Sequence, residues 1–180
     1  AGVKKMTRPD STKVIEEFMV LANVAAATAL ESKNAGCVYR AHGAPPSAGR
    51  MSELREFLKG FGVNVPQGDL TAADLKQIVA DTAGTPDARA IAKAVLRVQA
   101  KATYQTENIG HFGLALERYA HFTSPIRRYA DLLVHRSLVD AFNLGQGGLS
   151  AKQSANLSEM ARHISETESI SAKAERGAND

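Results

Sequence analysis

The sequence predicts a mostly helical α+β fold, and three observations predict it. Glycine and proline cut the 180 residues into short segments joined by brief loops. Most of those segments repeat apolar residues at helical spacing. Two stretches, 37–42 and 108–122, lack that period and carry the aromatic and glycine content of extended backbone. With 44% apolar and 23% charged residues the composition is that of an ordinary globular chain, and a chain of this length is expected to build one core.

The elements follow in order. From Lys13 to about Leu30, Ile15, Phe18, Met19, Ala22 and Ala26 keep helical spacing, with Asp10, Ser11 or Thr12 available as the cap. Val14, Leu21 and Val24 fall elsewhere around the wheel, so this helix is expected to be buried on nearly every side. Asn34-Ala-Gly breaks it, Cys37 to His42 reads as a short strand, and a loop of glycine, alanine and proline runs to Gly49. Met51, Leu54, Leu58 and Phe61 mark a second helix, with Ser52 near its start and Gly60 and Gly62 at its end. Thr71 and Asp74 have capping-box spacing ahead of Leu75, Ile78 and Val79, and Gly84 stops that helix. Thr85-Pro86 places a hydroxyl before a proline at the head of a stripe of Ala88, Ile91, Val95, Val98 and Ala102, predicting a helix to about Thr103. Ser124-Pro125 opens another, to about Phe142. Gly145-Gln-Gly-Gly148 is the clearest joint, and a last helix is expected from Ala151 to Arg176.

Composition narrows the function classes. No apolar run reaches the ~20 residues of a spanning helix, and no basic-then-apolar leader is present. A single cysteine, Cys37, excludes an internal disulfide and a multi-thiolate zinc cage, and fits the reducing cytoplasm. The formal charge of +3 does not by itself point to nucleic acid, so any such reading rests on local clustering.

That clustering lies in Tyr119-Ala-His-Phe-Thr-Ser-Pro-Ile-Arg-Arg-Tyr-Ala-Asp131. With Ser124 as cap and Pro125 at the first helical position, Arg127 and Arg128 fall in the first turn, where cations are disfavoured by the helix dipole. Free backbone amides beside two guanidinium forks form a receptor for phosphate. The competing reading is ion pairing, Arg127 with Asp131 and Arg128 with another surface acid. The five histidines, at 42, 111, 121, 135 and 163, show no metal-ligand spacing and read singly as packing residues. His121, three residues before the cap, is the one that also reads as part of an anion site. Phosphoryl transfer with magnesium needs converging carboxylates, and no dense aspartate cluster is present. Glu16 and Glu17 sit on the first helix, where they serve either its dipole or a polar site. Glu175 continues a face of Ile164, Glu168 and Ser171 on the last helix, as a site residue or as a solvated end.

At these residues the sequence resembles the RNB-domain exoribonucleases of the ribonuclease II and ribonuclease R type. His111-Phe-Gly-Leu-Ala-Leu followed by Tyr119 to Asp131 and Leu-Leu-Val-His135-Arg carries the likeness. Ile15-Glu-Glu-Phe-Met-Val-Leu-Ala-Asn23, Val38-Tyr-Arg-Ala-His42 and Ala174-Glu-Arg176 flank it in the family's order, so the resemblance spans nearly the whole chain. It implies hydrolytic, processive 3′-to-5′ degradation of single-stranded RNA with Mg²⁺, without a small-molecule cofactor or a membrane. It also implies that Arg127 and Glu175 are catalytic, Arg127 holding the scissile phosphate and Glu175 lying near the reactive end of the RNA, and that Glu16, ahead of Glu17, contacts a ribose hydroxyl. Ser124, His121, Arg128, Arg40 and His42 are expected among the RNA-binding residues.

The family's pattern also departs from this sequence. Its magnesium-binding aspartates precede the Glu-Glu helix and an S1-type barrel follows the domain; neither is present here, and Gly177 replaces an expected acid after Arg176. Residues 1–180 are thus expected to be the C-terminal portion of an RNB catalytic domain, its fold mostly helical with a few short strands from a larger sheet and a flexible joint near 145–148. The full-length protein is expected to be the exoribonuclease, and this chain alone to bind RNA without hydrolysing it. The alternatives are a non-catalytic RNA- or partner-binding module derived from the same fold, and a purely structural helical domain.

Overall fold

Helix α1 spans Asp10–Ser32 in the computed structural model, which describes residues 9–45, 48–68 and 70–179. The remaining elements are β1 (Tyr39–Ala41), α2 (Ala48–Gly60), α3 (Ala72–Asp81), α4 (Ala88–Val98), β2 (Thr103–Gln105), a 3-10 turn at Phe112–Leu114, α5 (Tyr129–Ala141), α6 (Ala151–Ala155) and α7 (Leu157–Asn179). The fold is therefore α+β and mostly helical, with β1 and β2 paired in a two-stranded sheet. Of the loop before α2, residues 46 and 47 lie outside the described residues. None of the described helices is long and apolar enough to cross a membrane.

The single core expected from length is replaced by two. One unit comprises Ala1–Tyr39, Tyr104–Glu107 and Tyr119–Asp180; the other comprises Arg40–Thr103 and Asn108–Arg118. In the first, Ala26, Ala27 and Leu30 of α1 pack with Val38 just before β1, with Tyr104 of β2, with Ala130, Leu133 and Val134 of α5, and with Leu157 and Ala161 of α7. The alanines let helix backbones approach closely. Gly36 lies beneath Leu157, where an added Cβ would stand 2.9 Å from the leucine methyl. Cys37 is buried in the same cluster, and burial, followed by the charge of Glu31, pushes its thiol up to about 12, which leaves it protonated and unreactive.

Burial of α1 is confined to its C-terminal half, contrary to the expectation of an all-round buried helix. Asn23, Ala26, Ala27 and Leu30 form one inward stripe, whereas Ile15, Leu21 and Phe18, the last 62% exposed, face solvent. Apolar character around the wheel sets what a helix can bury, but only the stripe that meets α5 is covered here. Pro9 occupies the cap position without a side-chain hydrogen bond, so neither Asp10, Ser11 nor Thr12 caps the helix; Asp10 pairs with Lys13 instead. The long C-terminal helix is two helices. Ser150 and Gln153 form a capping box for α6, Asn156 breaks the run with its side chain on the Lys152 carbonyl, and α7 then continues through Gly177 to Asn179.

The second unit wraps Leu54 and Leu58 of α2, Leu70, Leu75 and Ile78 of α3 and its approach, and Ile91, Val95 and Val98 of α4 into a core of its own. The Thr71–Asp74 capping box forms as expected, and its hydrogen bonds from the Thr71 hydroxyl and N–H hold the Asp74 carboxyl below its ordinary range. Helix α4 begins two residues after Pro86, with Asp87 at the cap position making no side-chain capping hydrogen bond, and stops at Val98 instead of Thr103 because Gln99 turns extended and the chain heads into β2. The extended run expected over 108–122 is a pair of single bridges, His42 to His111 and His111 to Leu116, around the 3-10 turn.

Candidate functional site

The segment from Tyr119 to Asp131 has little regular structure of its own, so its backbone polar groups need partners from outside it. Buried side chains supply them. Asn23, on the inward stripe of α1, donates through Nδ2 to the Tyr119 hydroxyl at 2.9 Å and accepts through Oδ1 from the N–H of Phe122 at 2.8 Å and of Thr123 at 3.3 Å. His135 of α5 stacks on Phe122, rings 4.2 Å apart, and its Nε2 donates to the Phe122 carbonyl at 2.8 Å. The Tyr104 hydroxyl meets His121 Nδ1 at 2.8 Å.

The following turn is fixed by Asp131, whose side chain has no exposed surface. It accepts from the Ser124 N–H at 2.7 Å, from Arg128 Nε at 2.7 Å and from Arg128 Nη2 at 2.8 Å. The Ser124 carbonyl in turn accepts from the N–H groups of Arg127 and Arg128 at 3.2 and 3.1 Å. A buried carboxylate with three charge-assisted or backbone donors is satisfied, and a bidentate guanidinium is the partner that best offsets its desolvation.

This geometry corrects the expected helix. Helix α5 starts at Tyr129 with Arg128 as its cap residue, so Ser124 and Pro125 head a turn and Arg127 stands outside the helix. Asp131, in the first helical turn, already complements the positive pole, so the helix N-terminus is not the anion receptor that the spacing predicted. The pairing is also exchanged: Asp131 binds Arg128, three residues before it, and not Arg127. Arg127 is exposed beside a fully exposed Ile126, and its guanidinium has no ion pair or hydrogen bond among the described residues. One arginine builds the turn and the other is presented by it.

The remaining predicted residues are distributed. Ser124, His121, Arg127 and Arg128 share the segment just described, and Asn23 ties α1 to it. Glu16 and Glu17 are exposed on α1; Glu16 precedes Asn23 by seven residues, hence lies on the same face about 10 Å along the axis, whereas Glu17 is turned aside. Glu175 is exposed near the end of α7, because the half-covered face passes through Glu168, Ser169 and Ala172 rather than Ser171 and Glu175. Arg40 and His42 belong to the second unit. There His42 is buried, accepts the Gly113 N–H at Nδ1, and meets the His111 ring edge-on at 5.0 Å, in the wall of a groove of about 1300 Å³. Burial first, then the His42 and Arg40 charges, hold His111 down at about 4, so it is neutral at physiological pH. The polar holders Asn23 and His135 were not anticipated as site residues. Asn23 carried a legible signal, as the one polar residue on a stripe of Ala26, Ala27 and Leu30.

Among the described residues no three histidine, cysteine, aspartate or glutamate side chains converge as metal ligands do. The donor set present does not fit a magnesium centre, which needs oxygen ligands from several groups, and no step is derived through one.

Comparison with known proteins bears on this site. The RNB domain family model matches residues 2–143. Ribonuclease R of Aquifex aeolicus (strain VF5) is 41% identical over 169 residues, covering 93% of this chain and 24% of that protein. Ribonuclease R of Mycoplasma genitalium, solved in complex with ribose-methylated single-stranded RNA, superposes with a TM-score of 0.85 at 28% identity, over 97% of this chain and 28% of that one. Yeast Ssd1, described as a pseudonuclease, superposes with a TM-score of 0.73 at 25% identity, over 88% and 20%. The chain thus spans about a quarter of the length of the first two. A turn that displays one arginine and pairs its neighbour with a buried carboxylate, in a chain whose likeness to these proteins extends through both units, places it by descent: the chain belongs to the RNB-domain family.

Proposed function

We propose that this chain is the RNA-phosphate-holding, C-terminal portion, residues 1–180, of the catalytic domain of a cytoplasmic, Mg²⁺-dependent 3′-to-5′ exoribonuclease. The observation that carries the reading is Arg127: an exposed guanidinium without an internal partner among the described residues, on a turn braced from both ends by a buried carboxylate. Its paired N–H donors match the non-bridging oxygens of a phosphodiester, and they stabilise the charge that gathers there when water attacks phosphorus. Glu16, displayed on the face of α1 that Asn23 ties to the arginine-bearing segment, accepts from a ribose 2′-hydroxyl, the group that separates RNA from DNA. Glu175 acts with Arg127 at the reactive end of the RNA, Glu17, His121, Ser124, Arg40 and His42 are secondary RNA contacts, and Arg128 contributes chiefly through Asp131. The loop at 145–148 is the hinge of the chain. The magnesium ligands of the full-length enzyme lie outside these residues, so the chain alone binds RNA and does not cut it.

The test is a fluorescence-anisotropy titration of a labelled single-stranded oligoadenylate RNA over a salt series. The expected result is weak, salt-sensitive binding whose log–log salt slope falls by about 1 in Arg127→Ala. An unchanged slope and affinity in that variant would overturn the reading, as would Mg²⁺-dependent digestion by the chain overturn its inactivity. A second reading, a binding module that never catalyses in any context, is favoured by the likeness to a pseudonuclease. Joining the chain to the upstream segment of its own gene separates the two, since digestion then appears only under the first.

A further inference from the structure

We propose that Asp131 is a positioning residue that acts on RNA through Arg127; this rests on the phosphate-holding reading above. The carboxylate spans the turn whose fourth residue is Arg127. It takes the N–H of Ser124 at the turn's start and the fork of Arg128 at its end, 2.7 to 2.8 Å in each case. Between these two anchors the Ser124 carbonyl closes the turn on the amides of Arg127 and Arg128. Pro125 fixes one dihedral within it and Ile126 projects fully into solvent, so no packing of the Ile126 side chain holds the turn. The direction in which Arg127 leaves the surface is therefore set by a side chain that never reaches the ligand. Loss of the Asp131 charge widens the orientations that Arg127 samples, and each added orientation lowers the fraction able to meet a phosphate with paired donors.

The substitution Asp131→Asn separates this role from simple electrostatics by sign. It removes a negative charge and frees the Arg128 fork, which by charge alone strengthens binding of a polyanion. The positioning role predicts the opposite: affinity for the labelled oligoadenylate falls by about tenfold, with a salt slope lower by about 1, as in Arg127→Ala. In the double variant Asp131→Asn, Arg127→Ala the affinity equals that of Arg127→Ala alone, because the effect passes through the missing guanidinium. Circular dichroism and thermal melting establish that each variant is folded at the assay temperature. Should Asp131→Asn fail that check, Arg128→Lys, which keeps the cation but loses the fork, is carried through the same cycle with the same expected non-additivity. Unchanged or tighter binding, or equal losses with and without Arg127, would overturn the proposal while leaving the phosphate-holding reading intact. If Arg127→Ala itself changes nothing, the phosphate-holding reading falls and the positioning role with it.

Discussion

Asn23 and Asp131, which brace the arginine-bearing segment of the first unit, and His42, in the groove wall of the second, are buried polar side chains that differ in how many hydrogen bonds they make. In the first, Asn23 and Asp131 each take three hydrogen bonds. In the second, His42 accepts one at Nδ1 from Gly113, and its buried Nε2 has no partner among the described residues. Two side chains with three hydrogen bonds each hold the short irregular segment in place to display a cation in one direction, although the buried Thr123 hydroxyl within it has no partner among the described residues. Beside His42, the half-buried His111 ring is held neutral by burial, so the groove wall carries a group whose protonation opposes folding.

The largest test of this contrast is a pair of neighbours. Arg128→Ala leaves a fully buried carboxylate uncompensated and is expected to cost about 4 kcal/mol. Arg127→Ala removes an exposed side chain and should stay within about 0.5 kcal/mol. Urea denaturation of the two variants checks the difference, and comparable losses would erase the distinction between the arginine that builds and the one that is displayed.

Asn23→Ala comes next. It strips the N–H groups of Phe122 and Thr123 and the Tyr119 hydroxyl of their partner and is expected to cost about 3 kcal/mol by the same measurement. In the second unit, Gly113→Ala sets a Cβ 2.8 Å from His42 Nδ1, a ring that cannot move without losing the Gly113 hydrogen bond. The expected loss is about 2 kcal/mol. Gly36→Ala in the first unit meets only the mobile end of Leu157 and should cost less. A reversal of that order, read from thermal melts, would mean that the groove wall yields more easily than the helical core.

The smallest effect is that of pH. His111 is held at about 4 in the fold against an ordinary 6.5, so over that interval the unfolded chain binds more protons than the folded one. Stability is therefore full above about 6.5 and declines as pH falls towards about 4, by an amount on the order of 1 kcal/mol because the ring is only half buried. Melting curves at pH 7 and pH 5 for the chain and for His111→Asn measure it; an equal decline in both would assign the sensitivity elsewhere.

Legibility differed by region for reasons of range. The capping box at Thr71 and the apolar periodicity of α3 and α4 act over one or two turns, and the structure has them where the spacing predicts. The misreadings all concern competition between neighbours and distant partners. Ser124-Pro125 has every local feature of a helix start, yet the turn wins because Asp131 gains more from Ser124 N–H and Arg128 together than the helix gains from one added turn. Helix α4 ends five residues short of Thr103, because residues 99–102 form an irregular link into β2, whose partner β1 lies more than sixty residues earlier in the sequence. The place of Asn23 on an apolar stripe is legible locally, whereas what it binds is not, because its partners lie 96 to 100 residues away.

By itself, the sequence determined the helical class, most element positions, the family likeness and the stretch in which a phosphate-binding arginine should be sought. Those properties follow from composition, spacing and backbone chemistry, which are short-range. Only the tertiary structure decided that the core is double, that α1 buries one stripe of its wheel, and which of two adjacent, chemically identical arginines is neutralised. Residues 127 and 128 differ in no intrinsic property; the difference arises because a buried carboxylate can reach one guanidinium and not the other, and reach is a property of the folded chain.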